Sequence, residues 1–312
     1  NSLLPALASL GVKQLLVADG NYFKVLTGQG KADPHYGYVL PCKIKGYEDM
    51  NVVLSLNYQQ LIYNPSLQAK LALSLDTLVA HMQGSYQAIG TSIIHSAQYP
   101  TIFGDIQAAL QSLHQYPRLV CDIETFSLKH DKAGIGTIGF AWDKHNGLAF
   151  AVDYFQTFSS AMHANGIYGI KMPHFEVRHE LVKFFTEYQG ELVLHNCTFD
   201  MKMLIVALWI DSFSDVKELL EGLDILTRKF HDTKIIAYLA TNSTAGNKLK
   251  LKELAHEFAG NWAVEVTDIT KVALTDLLQY NLVECLSTFY VFDKYYPVMV
   301  RDQQEELYKN LM

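Results

Sequence analysis

The chain has 312 residues, 49% of them hydrophobic, and its 25 Lys and Arg against 32 Asp and Glu leave a formal charge of −7. That length allows two domains of ordinary size with large cores. The negative balance argues against a passive polyanion-binding protein, which is usually basic, but not against an enzyme whose excess charge is met by metal ions. No basic leader with an apolar core and no long apolar run points to a signal or a membrane span. Cys42, Cys121, Cys197 and Cys285 lack paired spacing and read as free thiols in a reducing, cytoplasmic setting. Most of the 18 Tyr and 16 Phe belong to the core, with a few placed to stack on bases.

In chain order, Leu3, Leu4, Leu7 and Leu10 have helical spacing. Residues 14–18 read as a strand closed by Asp19-Gly20, and 28–38 as a loop whose glycines match no phosphate-binding fingerprint. Residues 51–56 and 60–63 read as strands, the latter ended by Asn64-Pro65. A helix follows to about Met82, then a strand over 88–94 and a helix over 102–114 closed by Tyr116-Pro117. Residues 1–116 thus form an N-terminal α/β module of unknown role.

Beyond residue 117 the rhythm is clearer. Strand 119–124 precedes a second over 136–142, and Asn146-Gly147 turns into a third over 148–152, an antiparallel series. A helix over 176–188 ends at Gly190, a strand covers 191–196, and an apolar helix covers 199–209. Residues 214–226 are mixed. A helix over 233–239 leads through a loop at 242–247 to a helix over 249–258 ended by Gly260. The last long helix spans about 275–290, is interrupted at Tyr295-Tyr296-Pro297, and gives way to a charged helix over 301–311.

The stretch Leu119-Val120-Cys121-Asp122-Ile123-Glu124-Thr125 organises the rest. On a strand, Asp122 and Glu124 point the same way. Two adjacent carboxylates are poor core residues, because burying unpaired charge is costly; a hard divalent ion removes that cost, and a solvated strand end is the plainer account. A second cluster is His195, Asn196 and Asp200. Asp200 falls in the first turn of a helix, where a carboxylate gains from the helix dipole or can face Asp122 as a further metal ligand, with Asn196 orienting substrate or water. The third is Tyr280 with Glu284, one turn apart on one helix face: a surface pair, or a metal ligand beside a phenol that holds water. Asp232 reads equally as an N-cap or as an outer carboxylate of the site.

Taken together, Asp122-Ile123-Glu124-Thr125, His195-Asn196 with Phe199-Asp200, and Tyr280 with Glu284 resemble the DEDD-type 3′–5′ exonucleases, in the tyrosine-bearing branch. The run from Phe230 to Leu239, followed by Leu249 to Ala255, resembles the proofreading segment of bacterial and phage family A DNA polymerases. The resemblance covers roughly 117–295. It implies a ribonuclease-H-like mixed sheet flanked by helices, with the exonuclease over 117–296. Residues 297–312 would then start a helix leading toward a polymerase domain, in cis or on a separate chain. It also implies two ions, Mg²⁺ or Mn²⁺, held by Asp122, Glu124, Asp200 and Glu284, with Tyr280 orienting the attacking water. Where the pattern normally has Asp, this chain has Glu284, with a side chain longer by ~1.5 Å.

The activity so implied is release of nucleoside monophosphates from a single-stranded DNA 3′ end or a frayed primer terminus. Phe126, Phe199 and His195 would act as wedges, Thr125 and Asn196 as further substrate contacts, and Lys202, Lys234, Lys248, Lys250 and Lys252 as phosphate contacts. The rival readings are a polymerase-associated binding scaffold with weakened nuclease activity, and an exonuclease of RNA. No membrane partner is expected.

Overall fold

The computed structural model describes residues 3–130, 134–158, 167–241, 248–260 and 266–312. The chain forms two compact units, residues 1–92 with 256–262, and residues 93–255 with 263–312.

In the first unit, α1 (Leu3–Ser9), β1 (Gln14–Val17), α2 (Gly20–Thr27), β2 (Val39–Pro41) and β3 (Asn51–Leu54) precede a single turn α3 (Gln60–Tyr63) and the longer α4 (Gln68–Met82). β3 is central, parallel to β1 and antiparallel to β2. Asp19 does not merely close β1: its carboxylate accepts from the N–H groups of Asn21 and Tyr22 and starts α2, over residues for which the sequence pattern predicts no element. Gly28, at φ +71°, ends it. Phe23 on this helix then joins Met50, Val52 and Leu54 in the unit's small core. Two expected strands are absent. Residues 60–63 form a helical turn with Ile62 and Tyr63 largely exposed, so nothing draws them into a sheet. Residues 88–94 turn at Gly90, whose φ of +86° breaks an extended run.

The second unit begins at β4 (Ser96–Gln98) and α5 (Phe103–Leu113), both short of the boundary expected at 116. β4 pairs with the central sheet, and Ile106, Leu110 and Leu113 of α5 lie in the main core, so neither belongs to the N-terminal module. There follow β5 (Arg118–Thr125), β6 (Ile135–Ala141), β7 (Asn146–Ala151), the hairpin β8 (Tyr154–Phe158) and β9 (Ile167–Lys171), α6 (Phe175–Glu187), β10 (Glu191–Leu194), α7 (Cys197–Leu208) and α8 (Val216–Leu226). β11 (Phe230–Asp232), α9 (Thr233–Thr241), α10 (Leu251–Leu254), the turn α11 (His256–Ala259) of the first unit, α12 (Leu274–Arg301) and α13 (Glu305–Leu311) complete the chain.

The sheet order is β11-β10-β5-β6-β7-β4. β6 runs antiparallel to β5 and β7, while β10 and β11 run parallel to β5. An antiparallel meander continued on its first strand by parallel strands, with helices on both faces, is the ribonuclease-H-like arrangement. The β6–β7 turn lies one step earlier than Asn146-Gly147, which are already in β7; Asp143 makes the turn by accepting from the N–H groups of His145 and Asn146. β11, unread in the sequence, is only three residues long. Gly190 is no helix cap: α6 stops at Glu187, and a Cβ at Gly190 would stand 2.7 Å from the Pro117 carbonyl. The helix expected over 249–258 is instead two single turns, and the loop expected at 242–247 lies outside the described residues. α12 is not interrupted at Pro297. Proline near a helix end forfeits little backbone pairing, and fully buried Met299 beyond it keeps the last turn packed.

Candidate active site

β5 sorts its own side chains. Leu119, Cys121 and Ile123 sink into the main core, while Asp122 and Glu124 face the other way and stay half-buried. Across the ladder from them on β6 stand Gly139 and Thr137. The register shifts between Glu124 and Thr125, the kind of irregularity that re-aims a strand end. Beyond it the Thr125 hydroxyl donates to the Ser127 carbonyl, and Phe126 stacks on Tyr154 with ring centroids 6.1 Å apart.

The second contribution comes from the turn between β10 and α7. Asn196 there adopts φ +64°, a left-handed conformation that Asn tolerates better than most residues. Asp232 fixes this turn, its carboxylate accepting from the N–H groups of Asn196 and Cys197 at 3.0 Å and of Lys234 at 2.8 Å. Both readings of Asp232 find bonds: the one from Lys234 is that of a helix start, and the two from Asn196 and Cys197 hold the turn that carries Asp200. His195 is bound at both ring nitrogens, to the Thr233 hydroxyl at 2.8 Å and the Leu249 carbonyl at 3.0 Å, and burial holds its pKa below the usual histidine value. It pins chain segments together through both ring nitrogens. Lys234 donates to the Asn196 side-chain oxygen at 3.0 Å, which engages both groups. Phe199 packs, partly buried, on the main core, and Asp200 in the same first turn of α7 is buried. The Asp200 carboxylate accepts from the Ile123 backbone, which brings it to β5 beside Asp122.

The third contribution is α12, which crosses β5, β6 and β7. Asn281, fully buried, donates to Oδ2 of Asp122 at 2.7 Å and accepts from the Thr137 hydroxyl at 3.1 Å. Tyr280 and Glu284 stand one turn apart on this helix, and the Glu284 charge acts on the Tyr280 hydroxyl. Lys252 of α10 brings its Nζ to 4.0 Å from Oε1 of Glu284 and 5.3 Å from the centre of the Tyr280 ring. Lys202, Lys248 and Lys250 are exposed.

Burial, then the charges of Asp200, Glu124 and Glu284, hold the Asp122 carboxyl well above the usual carboxylate range. Glu124 is pushed up to about 8 by burial, then by Glu284 and Asp200, with Lys252 pulling the other way. Asp200 is pushed up to about 8, again chiefly by burial, against the backbone hydrogen bonds it accepts. Burial and Glu284 raise the Tyr280 hydroxyl, so it stays protonated at neutral pH. All four predicted carboxylates therefore share one electrostatic neighbourhood, brought there by three separate segments. Among the described residues no three His, Cys, Asp or Glu side chains already stand as a metal cage. The donor chemistry nevertheless fits a hard divalent cation: only oxygen donors, several carboxylates, and mutual repulsion that such an ion relieves. The ligands would be Asp122, Glu124, Asp200 and Glu284, drawn together by side-chain rotation.

Sequence reasoning passed over Asn281 and Thr137. The available signal was a polar Asn among Leu277, Leu278 and Leu282 on a helix that packs against the sheet. Each of the four cysteines is free and buried, and burial raises Cys121 and Cys285 far beyond reactive thiols. Among the described residues no helix is long and apolar enough to cross a membrane.

No known family pattern and no curated protein matches the chain. Among solved structures, Brucella melitensis NrnC bound to pGG aligns with 15% identity over 71% of this chain and 88% of its own, at a TM-score of 0.46. The catalytic core of RRP6 from Trypanosoma brucei aligns with 12% identity over 70% of this chain and 52% of its own, at 0.43. The POL domain of Pol1 from M. smegmatis aligns with 13% identity over 69% of this chain and 29% of its own, at 0.41.

Proposed function

We propose that the second unit is a divalent-metal-dependent exonuclease that hydrolyses the 3′-terminal phosphodiester of a single-stranded nucleic acid and releases nucleoside monophosphates. The observation that carries this reading is the meeting of Asp122, Glu124, Asp200 and Glu284 at one end of β5, each with its proton affinity raised or its neighbours' raised by like charge. Bound Mg²⁺ or Mn²⁺ supplies charge neutralisation at the phosphate and a more acidic water. The chain's own groups do the rest. Asp122, Asp200 and Glu284 hold the cation and set its position. Glu124 would hold a second ion or the terminal hydroxyl. Tyr280, protonated, orients the attacking water by hydrogen bonding and does not act as its base. Lys252 places fixed positive charge beside Tyr280 and Glu284, where it complements an incoming phosphate. Phe126 and Phe199 offer ring surface for an unstacked terminal base.

In the finer reading the substrate is a DNA 3′ end or frayed primer terminus, presented by a polymerase in cis or on a separate chain. Its support is the resemblance of residues 230–255 to the polymerase-associated segment. The test is a time course with Mg²⁺ or Mn²⁺ on matched DNA and RNA oligonucleotides labelled at the 3′ or the 5′ end. Early loss of the 3′ label with a ladder of shortened 5′-labelled products is expected, abolished by Asp122→Ala. Retention of both labels at high protein, or cleavage indifferent to Asp122→Ala, refutes the proposal. Preference for RNA would refute only the finer reading, since the 2′-hydroxyl is what separates the two substrates.

A further inference from the structure

Resting on that reading, the buried contact between α12 and the sheet assigns a role to a residue outside the carboxylate set. Asn281 has no solvent exposure, and both ends of its amide are used. Its Nδ2 donates to Oδ2 of Asp122 at 2.7 Å, and its Oδ1 accepts from the Thr137 hydroxyl at 3.1 Å. Only one orientation of the amide satisfies both partners. A flipped amide would set an oxygen against the carboxylate and an NH₂ against a hydroxyl that would have to turn round. The ionised Asp122 carboxylate, which can only accept, sets which way the Asn281 amide points, and the Thr137 hydroxyl holds the other end of that amide from β6.

The backbone beneath is cut to fit. Gly139 lies across the ladder from Asp122, and a Cβ there would stand 3.3 Å from the Asn281 amide and 2.7 Å from the Cys285 sulfur. Glycine lets α12 approach closely enough for Asn281 to reach β5.

We propose that Asn281, anchored from β6 by Thr137, is the positioning residue for Asp122: it fixes the carboxylate for divalent-cation binding without touching cation or substrate. Partners that orient a metal-binding carboxylate typically matter about 10–100-fold for metal affinity or activity.

The experiment titrates Mn²⁺ alone into the full chain by calorimetry, with thermal melting in EDTA as the control for folding. Asn281→Ala should weaken Mn²⁺ binding by about tenfold or more and lower kcat while leaving the oligonucleotide KM near its original value. Thr137→Val, which keeps the shape and removes only the hydroxyl, should weaken Mn²⁺ binding several-fold, and Thr137→Ser should restore it. If Asn281→Ala fails to melt cooperatively, the Thr137 pair decides. An unmodified chain that binds Mn²⁺, together with Asn281→Ala and Thr137→Val proteins that bind it equally well, overturns the inference alone. An unmodified chain that binds no Mn²⁺ overturns the nuclease reading and this inference with it.

Discussion

Two aspartates of the second unit, Asp153 and Asp200, are both buried, and the chain treats them in opposite ways. Asp153 follows β7 and meets Arg178 of α6 in a two-pronged pair, Nε at 2.8 Å and Nη2 at 2.6 Å. The Ile135 backbone N–H donates to it as well, at 3.1 Å. Asp200 has backbone donors but no arginine, and its charged neighbours include further carboxylates. A buried carboxylate with its counter-ion built in is part of the scaffold; one left among like charges is stable only with a proton or an external cation. The difference between structure and site is therefore a difference in where the compensating positive charge comes from.

Replacing one aspartate of each kind by its neutral isostere, Asp122 for the site and Asp153 for the scaffold, should separate the two. Asp122→Asn should cost about 10³-fold or more in kcat on a labelled oligonucleotide, since several kcal/mol of charge stabilisation depend on the held cation, with no loss of melting temperature in EDTA. A lowered melting temperature there would place Asp122 with Asp153 in the scaffold. Asp153→Asn leaves Arg178 without its partner and should cost about 3–5 kcal/mol of stability in urea unfolding. A loss below about 1 kcal/mol, the range of exposed pairs, would remove the contrast from the other side. Gly139→Ala forces a methyl against the Cys285 sulfur at 2.7 Å and should cost about 1–3 kcal/mol by overpacking, measured by the same unfolding curve.

The smallest effect is on pH dependence. Ordinary carboxyls in the unfolded chain ionise near pH 4, whereas Glu124 and Asp200 ionise at about 8 in the folded chain without metal. Between those values the folded state binds more protons, so stability should fall as pH rises through that window and level off above it. Melting temperature in EDTA should decline from pH 5 to 8, and Mg²⁺ should flatten the decline. A rise over the same range would mean that the carboxylates are already compensated, as Asp153 is.

How much of this was legible beforehand follows from the range of each interaction. Asp122 and Glu124 share a face because of strand periodicity, which is local, and β5 bears it out. Asp200 in a helix's first turn was legible too, but not that it would stand beside Asp122. The helix α2 was missed because Asp19 was taken as the end of a strand when its carboxylate starts a helix. Pro297 was overrated as a breaker because the cost of a proline depends on how near the helix end it lies and on what packs beyond it. Asn281 was passed over, since both its partners lie far away along the chain, on β5 and β6.

By itself, then, the sequence determined the periodicities, the strand-borne carboxylate pair and the identity of every acidic side chain at the site, all set by backbone geometry within a few residues. Only the tertiary structure decided which carboxylates face one another, which bonds let Asp232 and His195 brace the site, and that Asn281 belongs with it. The physical reason is that charge compensation and hydrogen-bond pairing act through space, between segments that only the packed sheet and α12 bring together.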